Sequence, residues 1–383
     1  MRSIENKIAK IHDLKKSSGT HSPSIATIKS LIPDLNIKID GCFLSNPYAT
    51  EYFMSNLNED LIQNEKLRDY LEFYPSQNNI ISKKISEFIN LSDDMIFVGN
   101  GAIEIIQAVM HNFISGKVFL NTPTFSSYYE FINSETQVIL NPSLRENDFK
   151  NDINNIIENV KKNDCEALIL INPNNPTGSY YSKQEIITIL DNLKHLETII
   201  IDESFIHFAY EDDDLNLISY YDLAENYPNL IIIKSMSKDF GIAGIRAGYG
   251  VMSSDRKNRL LNNGYLWNSN GLSEYFFQLY TDKNFQKNYE SLRKKYIIET
   301  KEFQNSLREI KNIKVYESKA NFVLVELPAN LNADDFVFKL LIEHGVYTRT
   351  CSDKIGLDGE FVRVASRSLS ENKEIIKALK KML

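Results

Sequence analysis

One stretch limits the possible folds more than any other. Residues 231–233 form an apolar, β-branched run that breaks abruptly into serine, lysine and glycine residues. Such a run predicts a buried strand of a parallel sheet. Lys238 follows the run closely, and Arg246 follows eight residues after Lys238. Because α/β folds bind ligands just beyond the carboxyl ends of such strands, we predict an α/β fold with a ligand site around Lys238.

The residues beside Lys238 suit an anionic ligand. Ser235 and Ser237 can donate neutral hydrogen bonds to a phosphate, and Arg246 can bind one through its planar fork of donors. A partly desolvated lysine is also suited to Schiff-base chemistry, because burial and neighbouring cations lower its pKa. The alternative is that Lys238 is an ordinary solvated side chain in a loop of serine and glycine.

Four further apolar runs precede this stretch, at residues 95–98, 118–120, 166–171 and 198–201. Each is followed by polar or glycine residues, and the glycines after the first run open a helix whose N–H groups could face an anion. The carboxylate after the fourth run is costly at a strand end unless it is paired. These strand ends contribute Gly101, Ala102, Ile103, Phe125, Asn175 and Asp202.

Taken in order, these motifs resemble those of the class I/II aminotransferases, which carry pyridoxal 5′-phosphate (PLP) on fold type I. The patterns most similar to this one belong to histidinol-phosphate aminotransferases and L-threonine-O-3-phosphate decarboxylases. The resemblance implies a large domain with a mostly parallel sheet between helices and a smaller α+β C-terminal domain. We expect an N-terminal arm at residues 1–45, the large PLP-binding domain at 46–262 and the small domain at 263–383.

The resemblance also implies a role for each motif residue. Lys238 would carry PLP, and Asp202 would pair with its protonated pyridine nitrogen, which keeps the ring an electron sink. Phe125 would stack on the ring, unless it is ordinary core, and Asn175 would bind the phenolic oxygen. Tyr74 would reach the cofactor phosphate of a neighbouring subunit, unless it only packs at a helix entrance. The remaining phosphate contacts would come from Gly101, Ala102, Ile103, Ser235, Ser237 and Arg246.

Three arginines near predicted strand ends of the small domain indicate the substrate class. Arg349 and Arg363 match anion-binding arginines of the family, and Arg367 resembles the decarboxylase pattern more than the aminotransferase one. Each alone could be a surface arginine, but three cations suit a substrate with a carboxylate and a phosphate. Asn46 matches a residue that lines the substrate pocket, although an Asn-Pro pair is also typical of a turn. Phe205 is a departure, because aminotransferases of this class usually have tyrosine there.

We therefore expect α-decarboxylation of a small O-phospho-L-amino acid, phosphoserine or phosphothreonine. The alternative is transamination of a small phosphorylated amine or ketone, since the outcome depends on which Cα bond lies perpendicular to the cofactor ring. Phe205 and Arg367 favour decarboxylation, whereas the frequency of aminotransferases in the family favours transamination. A non-enzymatic PLP-binding protein, such as the effector domain of a regulator, and a scaffold that has lost the site are more remote alternatives.

Composition limits the binding partners and the cellular compartment that we expect. The net charge of −8 over 383 residues argues against binding to nucleic acid or to an anionic membrane. No apolar run is long enough for a membrane span or a secretory signal. The three cysteines, Cys42, Cys165 and Cys351, have no metal or redox spacing and indicate a reducing cytoplasm. We expect a cytoplasmic homodimer without a metal, with His207 and the acidic residues 211–214 as surface or loop features.

Overall fold

The computed structural model describes residues 2–212, 214–266 and 268–383. Asp213, part of the acidic run predicted at the surface, lies outside them. The helices are α1 (Arg2–Ser17), α2 (Ile25–Leu31), α3 (Pro47–Leu57), α4 (Leu67–Glu72), α5 (Asn78–Ile89), α6 (Ala102–Phe113), α7 (Ser127–Glu130), α8 (Ile153–Lys162), α9 (Lys183–Asn192), α10 (Ser254–Asn262), α11 (Gly271–Tyr280), α12 (Lys283–Arg308), α13 (Ala333–His344) and α14 (Leu369–Met382).

The strands fall into three sheets within the described residues. They are β1 (Ile39–Asp40), β2 (Ile96–Asn100), β3 (Lys117–Thr122), β4 (Gln137–Pro142), β5 (Ala167–Ile171), β6 (Thr198–Asp202), β7 (Leu230–Ser235), β8 (Ala247–Val251), β9 (Lys314–Val315), β10 (Phe322–Glu326), β11 (Val346–Tyr347), β12 (Arg349–Thr350) and β13 (Phe361–Ala365).

The largest sheet has seven strands in the order β2-β8-β7-β6-β5-β3-β4. Its neighbours pair in parallel except at β8, which is antiparallel to both β2 and β7. Helices cover both faces, so successive residues of a central strand enter different cores. Ile232 packs in one core, and Ile231 and Ile233 pack in the other. This two-sided burial explains the continuous β-branched run of the sequence.

A four-stranded antiparallel sheet in the order β12-β13-β10-β9 forms the C-terminal part. Residues 346–350 divide between two sheets. β11 pairs in parallel with β1 of the N-terminal segment, and β12 pairs with β13. Ile11 of α1 and Ile28 of α2 are fully buried in the same core as Val323 of β10. The N-terminal segment therefore packs against the C-terminal elements of its own chain.

His207, expected as a surface or loop feature, lies in the short turn Ile206–Phe208 after β6 but not at the surface. Its imidazole is buried, and Nδ1 lies 2.7 Å from a carboxylate oxygen of Asp239. Burial, and then the charge of Lys234, lower the pKa of His207 to about 4. The ring is therefore neutral at physiological pH and donates Nδ1–H to Asp239, which also binds the buried Lys234 ammonium at 2.7 Å.

Candidate active site

The carboxyl ends of β2, β3, β5, β6 and β7 meet at one side of a cavity of about 270 Å³. Parallel strands present their carboxyl ends at one edge of the sheet, so residues that are distant in sequence meet there. The N-terminal segment and the C-terminal sheet close the opposite sides. The cavity brings together eleven of the predicted site residues: Ala102, Ile103, Phe125, Asn175, Asp202, Ser235, Ser237, Lys238, Arg246, Arg349 and Arg363.

Lys238 lies on the short turn that follows β7, and its ammonium group donates to the carbonyl of Phe43 at 3.2 Å. Burial first, and then the positive charge of Arg363, lower the pKa of Lys238 to about 8. A lysine with a depressed pKa can provide the neutral amine that attacks a carbonyl carbon. The structure thus provides both conditions that the sequence analysis named for a lowered pKa of this lysine, which are burial and a neighbouring cation.

Asp202 ends β6 and is only 3% exposed. One of its oxygens accepts from the Tyr128 hydroxyl at 2.8 Å, and the other accepts from the backbone N–H of Ser204 at 2.8 Å. Burial raises the pKa of this carboxyl, and the two donors oppose the rise. Tyr128 was not predicted as a site residue, because its position on the short helix α7 carries no motif.

An anion cradle lies where β2 leads into α6. Gly101 caps the helix with φ of +79°, a conformation that side chains rarely adopt, and a Cβ there would lie 2.5 Å from a guanidinium nitrogen of Arg246. Arg246 itself has φ of +61° and donates to the carbonyl of Ala243 at 2.9 Å. The guanidinium and the N-terminus of α6 therefore approach each other closely, as binding of a phosphate requires.

Arg363 lies in the middle of β13 and joins the two large parts of the molecule. Its guanidinium donates to the side-chain oxygen of Asn175 at 2.6 Å and to the carbonyl of Cys42 at 2.7 Å. Its Nε has no partner among the described residues. Burial lowers the pKa of this arginine, and no carboxylate within the described part pairs with it. Arg363 can therefore bind an anion that enters the cavity.

Arg349 is already paired. It donates to both oxygens of Asp353, at 2.7 and 2.9 Å, and to the carbonyl of Thr20 at 2.8 Å. Beside it the cavity wall contains residues that the sequence analysis did not select: Thr20, His21 and Ser22 of the N-terminal segment, and Lys354. The loop composition of residues 17–23 gave no sign of this position, because the contact depends on how the segment folds back over the C-terminal sheet.

Besides Gly101, whose place in the anion cradle is described above, three predicted residues do not line the cavity in this chain. Tyr74 is 94% exposed, as a residue that acts on a neighbouring subunit would be. Asn46 is buried and caps α3 through its side-chain oxygen, while its amide nitrogen has no partner among the described residues. Arg367 donates to the carbonyl of Ser45 at 2.8 Å and lies 3.6 Å from Glu371. Their predicted roles stay predictions.

The fold and the cavity define a class of protein: an α/β enzyme with a buried lysine, an opposed carboxylate and an anion cradle. Comparisons with known proteins agree. An L-serine phosphate decarboxylase of Campylobacter jejuni is 55% identical over 375 residues, 98% of this chain and 96% of that protein. A histidinol-phosphate aminotransferase of Methanococcus aeolicus is 30% identical over 387 residues, 99% of each protein.

Among solved structures, a decarboxylase from Sulfurospirillum multivorans matches with a TM-score of 0.93 and 42% identity, over 99% of this chain and 98% of that one. The family described as Aminotransferase class I and II matches residues 49–379. The chain therefore belongs to the class I and II aminotransferase family. This membership confirms the predicted family and the predicted fold class.

The residues present fit PLP, the cofactor that the family implies. The close approach of Arg246 to Gly101 leaves a cradle that a Cβ would fill, and this cradle suits the cofactor phosphate. Phe125 offers an aromatic face in the cavity wall, and Asp202 offers a buried carboxylate. Lys238 completes the set with an amine of lowered pKa. Within the described residues, no group of histidine, cysteine or acidic side chains could hold a metal ion.

Proposed function

We propose that this chain is a PLP-dependent decarboxylase of O-phospho-L-serine. The products are CO₂ and O-phosphoethanolamine, since loss of the carboxylate leaves the amine and the phosphate ester in place. The observation that carries this proposal is the 55% identity, over 98% of the chain, to an L-serine phosphate decarboxylase. The aminotransferase that matches over the same length is only 30% identical.

Different residues of the chain would bind the cofactor and transfer the proton. PLP, when bound, supplies the electron sink that accepts the electron pair of the Cα–carboxylate bond. Lys238 would attach the cofactor, and its ammonium form would donate the proton that replaces the lost carboxylate at Cα. Asp202 would pair with the protonated ring nitrogen. The cofactor phosphate would be held by the backbone of Gly101, Ala102 and Ile103 and by Ser235, Ser237 and Arg246.

Arg363 binds the carboxylate that is lost. Of the two cavity arginines on the C-terminal sheet, it is the one without a carboxylate partner among the described residues, and its charge lowers the pKa of Lys238. Phe205 gives this part of the cavity an apolar wall, because it is buried and packs edge-on against Phe322 with ring centroids 5.0 Å apart. Apolar surroundings favour the loss of a charged carboxylate as neutral CO₂. The predicted substrate contacts of Asn46 and Arg367 would need these side chains to reach the cavity, which neither lines in this chain.

The working unit is a homodimer in the cytoplasm. Tyr74 is an exposed aromatic side chain that can reach the cofactor phosphate of a second copy. The three cysteines are free and buried, in keeping with a reducing compartment. The net charge of −8 argues against nucleic acid or an anionic membrane as a partner, and no described helix is long and apolar enough to span a bilayer.

The reaction distinguishes decarboxylase from aminotransferase. The holoenzyme is incubated with phosphoserine, phosphothreonine or histidinol phosphate, with and without 2-oxoglutarate, and products are followed by mass spectrometry and NMR. We expect phosphoserine to yield CO₂ and phosphoethanolamine without any keto acid. In D₂O the new amine should carry one deuteron at Cα. Formation of glutamate that requires 2-oxoglutarate, without release of CO₂, would contradict the proposal and establish an aminotransferase.

A further inference from the structure

Asp239 is a fully buried carboxylate that directly follows Lys238 in sequence and has no part in the chemistry described so far. One of its oxygens lies 2.7 Å from the Lys234 ammonium and 2.7 Å from Nδ1 of His207. Burial acts to raise the pKa of Asp239, but the charge of Lys234 and the contact with His207 lower it to about 2. Because the ionised carboxylate has no proton to donate, Nδ1 of the neutral His207 ring is the donor of this hydrogen bond.

The two partners of Asp239 come from the two strands that lead to the site. Lys234 lies in β7, and the turn after this strand carries Lys238. His207 lies in the turn that follows β6, whose last residue is Asp202. The parallel pairing of β6 with β7 extends to Asp202. Beyond it, the side chains of His207 and Asp239 hydrogen-bond the two segments to each other. The contact therefore links the segment of the buried carboxylate to the segment of the cofactor lysine.

His207 is a fixed donor. Its backbone carbonyl accepts from the fully buried guanidinium of Arg293, on helix α12, at 2.8 Å. Its ring packs beside those of Phe240 and Tyr289, with centroids 6.3 and 6.4 Å away. Because the donor is held through both its backbone and its ring, the hydrogen bond restrains Asp239 and, with it, the adjacent turn.

We propose that His207 and Asp239 are positioning residues for Lys238. Their hydrogen bond fixes the turn after β7 relative to the segment after β6, so that the Lys238 amine meets the cofactor while Asp202 holds its ring nitrogen. Lys234 supplies the opposite charge that keeps Asp239 ionised in the core. Misplacement of a reacting group by about 1 Å can cost roughly 100-fold in rate. This inference rests on the proposed role of Lys238 as the cofactor lysine.

The test compares two ligands of the full-length protein after removal of the cofactor. PLP can attach to Lys238, whereas pyridoxine 5′-phosphate has an alcohol in place of the aldehyde and binds only through its ring and phosphate. We expect His207→Phe, which lacks the donor, to raise the Kd for PLP about tenfold relative to the Kd for pyridoxine 5′-phosphate, as loss of one hydrogen bond to a charged group does. A merely structural defect would weaken both ligands alike and leave this ratio of Kd values unchanged.

A conservative variant and a matched control accompany the test. His207→Asn should keep the ratio within about threefold of the wild type, because its amide nitrogen can donate in place of Nδ1. His12→Phe should not change the ratio, since His12 also lies 3.0 Å from a carboxylate, that of Asp335, but does not line the cavity. If His207→Phe does not fold, His207→Leu, which also lacks the donor and is smaller, replaces it.

Steady-state kinetics of the holoenzyme give a second readout. With PLP at saturation, His207→Phe should lower kcat for phosphoserine about tenfold and change KM by less than about threefold, because the residues that bind the substrate are unaltered. His207→Asn should recover most of the lost kcat. A rise in KM without a fall in kcat would contradict a role in positioning Lys238.

The ratio of Kd values separates this inference from the proposed function. An unchanged ratio in His207→Phe, or an equal rise in His207→Asn, would overturn the inference and leave the function standing. If the wild type attaches PLP but does not decarboxylate phosphoserine, the proposed reaction is wrong, and the ratio still decides the role of His207. Attachment that borohydride can reduce and that persists in Lys238→Ala would refute Lys238 as the cofactor lysine and overturn the inference with it.

Discussion

Asp202 shows how a single buried carboxylate depends on its neighbours. Burial raises the pKa of this carboxyl, and a protonated carboxyl cannot pair with a cationic ring nitrogen. The hydroxyl of Tyr128 and the N–H of Ser204, each at 2.8 Å, stabilise the ionised form. Only Tyr128 can be removed by substitution without changing the backbone, so it is the residue through which the carboxylate can be tested.

We predict that Tyr128→Phe lowers kcat about tenfold, because one hydrogen bond to a charged group is lost, on the order of 1–2 kcal/mol. The absorption spectrum of the bound cofactor should shift towards the form with an unprotonated ring nitrogen, and this is measured by titration between pH 6 and 9. Tyr181→Phe is the control, because it removes an equally buried hydroxyl that donates to the carbonyl of Asn151. An unchanged spectrum and kcat in Tyr128→Phe would show that Ser204 alone suffices.

Site residues at strand ends were predictable, and those positioned by packing were not. Lys238, Asp202 and Asn175 each follow an apolar run, and the edge of a parallel sheet brings such residues together whatever the loop lengths. Tyr128 and Lys354 lie outside such runs, and only the tertiary fold brings Tyr128 to the carboxylate of Asp202 and Lys354 to the cavity wall. The burial of His207 was not predictable for the same reason, since its partner Asp239 comes from another part of the chain.

At the scale of elements, the sequence indicated the buried strands of the seven-stranded sheet and missed its edge strand β4 (Gln137–Pro142). β4 is partly exposed, so its apolar run is weak. At the start of α3, the sequence analysis considered a turn as the alternative to a substrate role for Asn46. Asn46 and Pro47 also fit an N-cap followed by proline in the first helical turn, which is what the structure contains. The pair alone does not decide between the two.

The two roles of Asn46 can be separated, because its oxygen caps α3 while its amide nitrogen is buried without a partner among the described residues. We predict that Asn46→Asp keeps the free energy of unfolding within about 0.5 kcal/mol, whereas Asn46→Ala loses about 1 kcal/mol. Both should lower kcat/KM at least tenfold, since the donor to the anionic substrate is gone, roughly 1.4 kcal/mol. Denaturant melts and steady-state kinetics measure the two effects. If Asn46→Asp has the kinetics of the wild type, Asn46 caps α3 but does not bind the substrate.

Considered as a whole, the molecule divides the site between its two main sheets. The seven-stranded sheet supplies the residues suited to the cofactor. The four-stranded sheet supplies Arg349 and Arg363, and the turn between its strands β12 and β13 supplies Lys354. The hydrogen bond from Arg363 to Asn175, at 2.6 Å, links the two sets. This division explains why family motifs were easier to predict than substrate residues, because the cofactor residues follow regular strand ends and the cations lie on short strands and turns.

The surface gives a reason to expect a second subunit. Leu71, Phe73 and Tyr74 lie close together in sequence and are all strongly exposed. Apolar and aromatic side chains that cluster on a surface commonly mark an interface. We therefore expect light scattering to give about twice the chain mass of 44.1 kDa, with a buried area in the obligate range of roughly 2,000 Å² or more.

Mixing two inactive variants tests whether Tyr74 acts across that interface. Lys238→Ala lacks the cofactor lysine, and Tyr74→Ala lacks the contact to the neighbouring site. In a mixed dimer, the chain with Tyr74→Ala keeps its own Lys238 and receives an intact Tyr74 from its partner. Random reassociation after mild dissociation should therefore restore about a quarter of wild-type decarboxylation, because half of the dimers contain one complete site. Lys238→Ala mixed with itself is the control. If native mass spectrometry shows mixed dimers and no activity returns, Tyr74 acts within its own chain or not at all.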